Sequence, residues 1–332
     1  MKIIDNTEAH DAETCLQISS AADRGKIYSL RLKTGMRSPQ IEQEENLLVL
    51  NGDKFTFVSV KHGLIGESNY LNKQVSWVEA FAKVAKVKHV KGRKTIVIGN
   101  PGHRNYYHWT FQIWMALIFI KENYVGFSDC QVLGPALNGW RKQYIELLGD
   151  LDYIEADPNC AYVVDHAIYS DVTWGGFSFL PCHQILNLVD KISVADIGGA
   201  KKIFISRRDT QKRGLTNEVD VTKLVERYGY ETVLLSDLTI VQQISLFRNA
   251  KSIIAPHGAG LTNTIFSRPG TEVIELFPDD YVNPCFYSIA ISRELIYAAS
   301  VNPVMASNDY HSSAMTVDVP LLERIIINQN NK

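Results

Sequence analysis

Residues 253–277, IIAPHGAGLTNTIFSRPGTEVIELF, set a histidine and two glycines between two apolar runs. Pro256-His257-Gly258-Ala259-Gly260 ends a strand-like run and opens a helix-like one, with Leu261 and Asn263 in its first turn. A helix start offers free N–H groups and a partial positive charge, and glycines let a ligand approach the backbone, so the turn suits phosphate. The same residues also make a tight turn that binds nothing, with His257 a hydrogen-bonded structural residue. A basic loop, ISRRDTQKRGLTNE (205–218), carries Ser206, Arg207, Arg208, Lys212 and Arg213. Arginine can grip two phosphate oxygens at once, and a charge-assisted hydrogen bond is worth about 1.5–3 kcal/mol. The plain alternative is a solvated basic loop, with Asn217 and Glu218 as cap and first-turn acid of the next helix. Glu275 sits inside the apolar run TEVIELF, where a carboxylate needs a partner; a ribose diol or an arginine would serve. Finally, in NPGHRNYYHWTFQIW (100–114), Asn105, His108 and Gln112 stand at i, i+3 and i+7. They form a polar stripe at the start of an otherwise apolar helix. A lone histidine in such a place is more often structural than catalytic, and the stripe raises its standing.

Alternating elements must hold these groups. KTIVIGN reads as a strand, YYHWTFQIWMALIFIKEN as a helix, CQVLG as a strand and GWRKQYIELLG as a helix. The alternation restarts with KKIFIS, EVDVTKLVERYG, YETVLL, DLTIVQQISLFRNA, KSIIAP, GLTNTIFS and TEVIELF. Strands alternating with helices indicate an α/β fold with parallel sheets covered on both faces. Two series predict two Rossmann-like halves: a first domain over 1–195 (β-rich over 1–90, Rossmann-like over 91–195) and a second over 196–305. NLLVLNGDKFTFVSV suggests a hairpin around Asn51-Gly52. A tail, 306–332, contains VPLLERIIINQ, a closing helix expected to return to the first domain. In open sheets of this kind ligands bind beyond the carboxyl ends of the strands, where all four groups fall.

Composition removes several classes. A formal charge of −2 gives no electrostatic case for nucleic acid or an anionic membrane. The opening MKIIDNTEAHDAE lacks the basic end and apolar core of a signal peptide. The five cysteines (Cys15, Cys130, Cys160, Cys182, Cys285) are scattered without a CxxC, which suits reduced thiols in the cytoplasm. HGAG is similar to the oxyanion-hole HGGG of lipase-like hydrolases, but no G-x-S-x-G elbow follows; the nearest look-alike, residues 176–180, lies upstream and lacks the last glycine. The first strand is not followed by G-x-G-x-x-G, and no Walker A sequence occurs.

NYYHW, SRRDTQKRGLTNE and PHGAGLTNTIFSRPGTEVIEL resemble, in order and spacing, the signature blocks of glycosyltransferase family 61, over residues 95–280. LLVLNGDKFTFVSVKHGLIGES is weakly similar to the β-rich opening of its bacterial capsular-polysaccharide-type members. The resemblance implies a GT-B architecture, two Rossmann-like domains facing across a cleft. It also implies inverting transfer from a nucleotide sugar, UDP by family, to a growing or lipid-linked glycan in surface polysaccharide synthesis. Transient contact with the inner face of the membrane fits such an acceptor. Carried over by position, Ser206, Arg207 and Arg213 fall near the donor phosphates, and His257, Gly258, Ala259, Gly260, Leu261 and Asn263 form the diphosphate turn. Glu275 meets the nucleotide end, and Asn105, His108, Trp109 and Gln112 face the acceptor. The alternative is a non-catalytic sugar-nucleotide-binding protein. With arginines and a helix start facing the diphosphate, no metal or other cofactor is expected. Asp150-Leu151-Asp152 spells D-x-D but reads as a turn and strand start. Inverting transfer needs a base on the acceptor side. His108 is the expected group, with Asn105 and Gln112 orienting it; His103 is the nearest competitor and Asp171 an acidic one.

Overall fold

The computed structural model describes residues 17–18, 39–52, 54–61, 63–65, 77–174, 183–210, 212–304 and 313–330. Cys15, Cys182 and residues 176–180 lie outside the described residues. The chain divides into two compact units, residues 33–194 and residues 195–332 joined by the N-terminal stretch. That stretch carries β1 (Gln17–Ile18), which belongs to the second unit's sheet.

The first unit is built on β2 (Ile41–Asn51), β3 (Phe55–Ser59), β4 (Gly63–Ile65), β5 (Lys86–Val97), β6 (Gln131–Gly134), β7 (Tyr153–Glu155) and β8 (Cys160–Ser170). Their order is β4-β3-β2-β8-β5-β6-β7. The β4–β3–β2–β8 half is antiparallel and the β8–β5–β6–β7 half is parallel. The hairpin forms where Asn51-Gly52 suggested, with Asn51 pairing Phe55 across a three-residue loop. Leu47, Val49, Phe55, Phe57, Val97, Leu133 and Tyr169 make one core cluster. The helix after β5 runs through α1 (Tyr106–His108), a π-helical stretch (Trp109–Trp114) and α2 (Met115–Asn123). Every residue of the π-helical stretch is buried. Next, α3 (Trp140–Glu146) packs against it, Trp114 Nε1–H donating to the Tyr144 carbonyl at 2.8 Å. Asp150 and Asp152 lie in the turn leading to β7, where Asp152 pairs with Arg93.

The second unit's sheet comprises β1, β9 (Lys202–Ile205), β10 (Glu231–Val233), β11 (Ser252–Pro256), β12 (Glu272–Pro278) and β13 (Ile296–Asn302), in the order β1-β13-β12-β11-β9-β10. Every pairing is parallel. β11 is buried along its whole length, as its apolar run requires. The crossovers are α4 (Glu218–Arg227) and α5 (Ile240–Asn249), the latter opened by a capping box from Thr239 and Gln242, then a 3-10 helix (Ala259–Phe266) and α6 (Cys285–Ser292).

Two boundaries differ from the sequence reading. Residues 17–18, placed there in the first domain, pair with Ala298 and Ala299 of β13. The tail helix α7 (Val319–Asn330) packs within the second unit instead of returning to the first. Leu322, Ile325 and Ile326 form an apolar stripe that joins Phe204, Val221, Leu224, Ile254 and Ala298 in one core cluster. An apolar stripe is buried by the nearest uncovered sheet face, and the sheet's own face meets that need.

Leu322 is fully buried in this cluster. Leu322→Ala should therefore destabilise the protein by about 2–5 kcal/mol. Urea unfolding followed by tryptophan fluorescence measures this; a cost under about 1 kcal/mol would mean the helix is not part of the core.

Candidate functional sites at two strand-order switches

Each sheet reverses its strand order once in its parallel part, and open parallel sheets bind ligands where that happens. In the second unit the chain goes from β9 outward to β10 and returns on the other side to β11. β9 and β11 therefore open side by side at their carboxyl ends, delivering Ser206-Arg207 and His257-Gly258. In the first unit β5 leads out to β6 and β7, and β8 returns on its other side. That switch delivers residues 98–108 after β5 and Asp171–Trp174 after β8.

At the second unit's switch, the Arg207 guanidinium lies directly over Gly258. A Cβ on Gly258 would come within 1.6 Å of Arg207 Nη1, so any side chain here displaces the arginine. Arg207 Nε donates to the Lys212 carbonyl at 3.0 Å, and no carboxylate pairs with its guanidinium among the described residues. Burial first, then the charge of Arg213, push its pKa down to about 10, and Asp209 offsets this only in part. Arg213 donates from Nε to the His257 carbonyl at 3.1 Å, and its guanidinium stands 5.5 Å over the Tyr281 ring. Ala259 and Gly260, half-buried, open the 3-10 helix. The first N–H groups of such a helix have no partner within it. Two repelling guanidiniums, backbone N–H groups and a residue without a side chain are what a diphosphate needs.

Beneath this turn Glu275 is completely buried. The partner expected for it was a ribose or an arginine; the structure gives it His257 and Tyr297 instead. His257 Nδ1 lies 2.5 Å from one carboxylate oxygen, and the Tyr297 hydroxyl donates to the other. Burial is the largest influence on His257 and lowers its pKa against the pull of Glu275. The neutral ring thus donates its Nδ1 proton to the carboxylate. Phe277, Tyr281 and Phe286 enclose it at ring separations of 5.0, 5.3 and 5.1 Å. Burial likewise drives the Tyr297 hydroxyl well above its ordinary pKa. Glu275 accordingly anchors the turn rather than facing the open end of the site.

Two further donor-site candidates are also turned inward. Ser206 is buried and donates to Glu218, which Arg208 also engages at 3.0 Å. Glu218, read as a first-turn acid, thus ties the basic loop to α4. Asn263 is fully buried and donates to Gln243 at 2.8 Å, while Gln243 donates to the carbonyls of Leu235 and Leu238. Leu261 is a core residue. Of the expected set, Arg207, Arg213, Ala259 and Gly260 remain partly exposed, with Gly258 beneath the Arg207 guanidinium.

At the first unit's switch, Asn105 is the N-cap of α1, its Oδ1 accepting from the N–H groups of Tyr107 and His108. Capping explains its position, and its carbonyl oxygen is spent on the helix. Trp109, expected on the acceptor side, is wholly buried, with Arg141 5.7 Å over its ring. The apolar run around it sends it to the core. His108 and Gln112 do meet, His108 Nδ1 lying 3.0 Å from Gln112 Oε1. Burial pushes the His108 pKa down to about 4, against the Gln112 hydrogen bond. His103 is buried and also pushed to about 4, mainly by burial, with Nδ1 3.1 Å from the Asn100 carbonyl. Asp171 is buried and accepts from the Gln40 N–H at 2.8 Å. The residue that sequence reasoning missed is Asn100. Its amide accepts from the Gly102 N–H at 2.8 Å and donates to Gln112 Oε1 at 2.8 Å and to the Thr173 carbonyl at 2.9 Å. The available signal was an asparagine in the first polar position after a buried strand, in NPGHRN. Among the described residues, no group of three or more His, Cys, Asp or Glu side chains is arranged to hold a metal ion, and no helix is long and apolar enough to cross a membrane.

Both α/β units gather polar and cationic groups at a strand-order switch, the place where open parallel sheets bind ligands. The family model for glycosyltransferase 61 matches residues 101–274, just over half of the chain, and the chain belongs to that glycosyltransferase family. It is 34% identical over 107 residues to the human protein O-linked-mannose beta-1,4-N-acetylglucosaminyltransferase 2, covering 30% of this chain and 18% of that one. The bovine counterpart is 31% identical over 106 residues, again 30% of this chain and 18% of the relative. A xylan glycosyltransferase, MUCI21, of Arabidopsis thaliana is 29% identical over 72 residues, 21% of this chain and 15% of its own length. The chain therefore spans less than a fifth of the length of these relatives.

The contact between Gly258 and Arg207 makes a specific prediction. Gly258→Ala and Arg207→Ala should each weaken UDP binding about 10–100-fold, the worth of one charge-assisted contact. Because both act through one guanidinium, the double variant should be little worse than either single one. Calorimetric titration measures this; additive losses would mean that Gly258 acts on the ligand independently. Linkage makes a second prediction. His103, His108 and His257 all titrate below their ordinary 6.5 in the folded protein. Their contribution is complete above about pH 6.5 and is lost below it, for His103 and His108 as pH falls toward 4, at up to about 1.4 kcal/mol per pH unit for each proton taken up on unfolding. The urea midpoint should fall steadily across that range, and a flat midpoint would contradict the buried-neutral assignment.

Proposed function

We propose that this protein is an inverting glycosyltransferase that moves a sugar from a nucleoside-diphosphate donor, UDP by family habit, to the hydroxyl of a glycan acceptor. The reading takes it as a GT-B enzyme, one unit serving the donor and the other the acceptor. The observation that carries it is the guanidinium of Arg207, held over Gly258 beside Arg213 with no carboxylate partner among the described residues. Such a charge arrangement is costly in the empty protein and is relieved by an anion.

In the proposed reaction His108 Nε2 takes the proton from the acceptor hydroxyl as its oxygen attacks the anomeric carbon. The bond from that carbon to the diphosphate oxygen breaks, and configuration inverts. Charge grows on the leaving diphosphate, where Arg207, Arg213 and the N–H groups of Ala259 and Gly260 would stabilise it. A pKa of about 4 keeps the His108 imidazole neutral at physiological pH. It is a weak base on its own, suited to removing the proton in step with bond formation. The names of the relatives, an O-linked-mannose N-acetylglucosaminyltransferase and a xylan glycosyltransferase, support sugar transfer as the reaction class. Surface polysaccharide synthesis at the cytoplasmic side of a membrane is the setting that the resemblance to bacterial members favours.

A non-catalytic sugar-nucleotide-binding protein would share the arginine site. Turnover separates the two readings: purified protein given a panel of UDP-sugars and glycan acceptors should release UDP and form product. Binding without turnover across the panel would favour the sensor. His108→Ala should lower kcat about 10²–10⁴-fold while leaving UDP affinity within about twofold. If kcat survives and only the acceptor KM rises, the base lies elsewhere. With cationic groups already facing the diphosphate, activity should persist in EDTA. A loss above tenfold, restored by Mg²⁺ or Mn²⁺, would contradict this.

A further inference from the structure

We propose that Asn100 is a positioning residue that sets the tautomer of His108, acting through Gln112. The inference deepens the reading of His108 as the base and rests on it for its kinetic consequences only. The orientation of each amide follows from a backbone group whose role is fixed. The Gly102 N–H can only donate, so the Asn100 atom 2.8 Å away is the amide oxygen. The Thr173 carbonyl can only accept, so the atom 2.9 Å from it is the Asn100 nitrogen. The second proton of that nitrogen points at Gln112, 2.8 Å away, so the Gln112 atom there is Oε1. The same oxygen faces His108 Nδ1 at 3.0 Å, and an oxygen acceptor requires that Nδ1 carry the proton. In a neutral ring the lone pair then belongs to Nε2.

Each role between Thr173 and His108 is thus fixed: Asn100 donates to the Thr173 carbonyl and to Gln112 Oε1, and His108 Nδ1 donates to the same Oε1. This chain of bonds is anchored on the segments leaving β5 and β8, the two strands that flank the order switch. Asn100 and Gln112 are both buried, so water does not compete for these bonds. The 3-10 turn Asp171–Trp174 and α3 pack against the π-helical stretch and bring the charged groups Asp171 and Arg141. Asp171 is engaged by the Gln40 N–H and Arg141 by the Trp109 and Trp140 rings. Burial is the largest influence on the imidazole, and the Gln112 bond opposes it. The π-helical stretch Trp109–Trp114, which begins directly after His108, fits the same picture, since such turns are frequent at functional sites.

Asn100→Asp tests the relay with almost no change of shape. Its carboxylate cannot donate, so Gln112 must turn its NH₂ group toward residue 100, and that group then donates to His108 Nδ1. The proton moves to Nε2. Nitrogen-15 spectra of histidine-labelled protein, with His108 assigned by its disappearance in His108→Gln, read the tautomer directly. The expected result is Nδ1–H in the parent and Nε2–H in Asn100→Asp, with kcat lower in the variant by about 10²-fold or more and UDP affinity unchanged. Gln112→Glu is the complementary variant. It still accepts from both neighbours, so the tautomer stays Nδ1–H, but its charge raises the imidazole pKa. The acid limb of kcat/KM should therefore move to higher pH, which a merely structural role would not produce. An unchanged tautomer in Asn100→Asp, or Nε2–H in the parent, would overturn the proposal. If the tautomers follow expectation while His108→Ala keeps its kcat, the relay stands and the base reading fails.

Discussion

A carboxylate buried in a parallel strand must be held on both of its oxygens, and Glu275 is held by His257 on one side and Tyr297 on the other. Much of the second unit's site follows from that arrangement. The hydrogen bond to Glu275 orients the His257 ring among Phe277, Tyr281 and Phe286 and leaves its carbonyl available to Arg213. With His257 held, the next residue lies beneath the Arg207 guanidinium, where only a hydrogen fits. A buried acid thus positions Arg213 through an imidazole and a main-chain oxygen. It does so without neutralising Arg207, whose pKa remains depressed by burial and by Arg213.

The first unit meets the same problem with neutral groups. Asn100, Gln112 and His108 are satisfied by one another and by backbone, with no formal charge in the chain. The difference suits the two chemistries proposed for them. A diphosphate site needs uncompensated positive charge, so its support lies one layer down. A base needs a bare nitrogen on a neutral ring, so its support is an oriented amide. In the first unit Asn100 and Thr173 follow the two strands that flank the switch, whereas in the second Glu275 and Tyr297 lie within β12 and β13.

Helices, strands and the parallel character of the second sheet were legible in the sequence, because buried parallel strands are short apolar runs and their crossovers carry amphipathic or apolar helical periods. KKIFIS, KSIIAP and TEVIELF became β9, β11 and β12, and the apolar helix over 106–123 was found whole. β13 and α6 escaped the reading, as did the pairing of residues 17–18, since a two-residue strand has no periodicity to detect. The tail helix was recognised, but its destination was not. An apolar stripe shows that a helix will be covered and is silent about which face will cover it.

The candidate sites divide in the same manner. The sequence by itself determined that phosphate-binding residue types stand at strand ends: Arg207, Arg213, Gly258 and the start of the helix at Ala259. Their distance from a strand end is a local property, readable from spacing. Only the tertiary structure decided which polar side chains face outward and which are consumed inside. Ser206 went to Glu218, Asn263 to Gln243, Asn105 to its own helix cap and Glu275 to His257 and Tyr297. Asn100 joined His108 across 8 residues of chain and Thr173 across 73, and no local pattern encodes that meeting. A buried polar group takes whichever complementary partner packing brings within about 3 Å, and that partner is a property of the folded arrangement of strands rather than of sequence spacing.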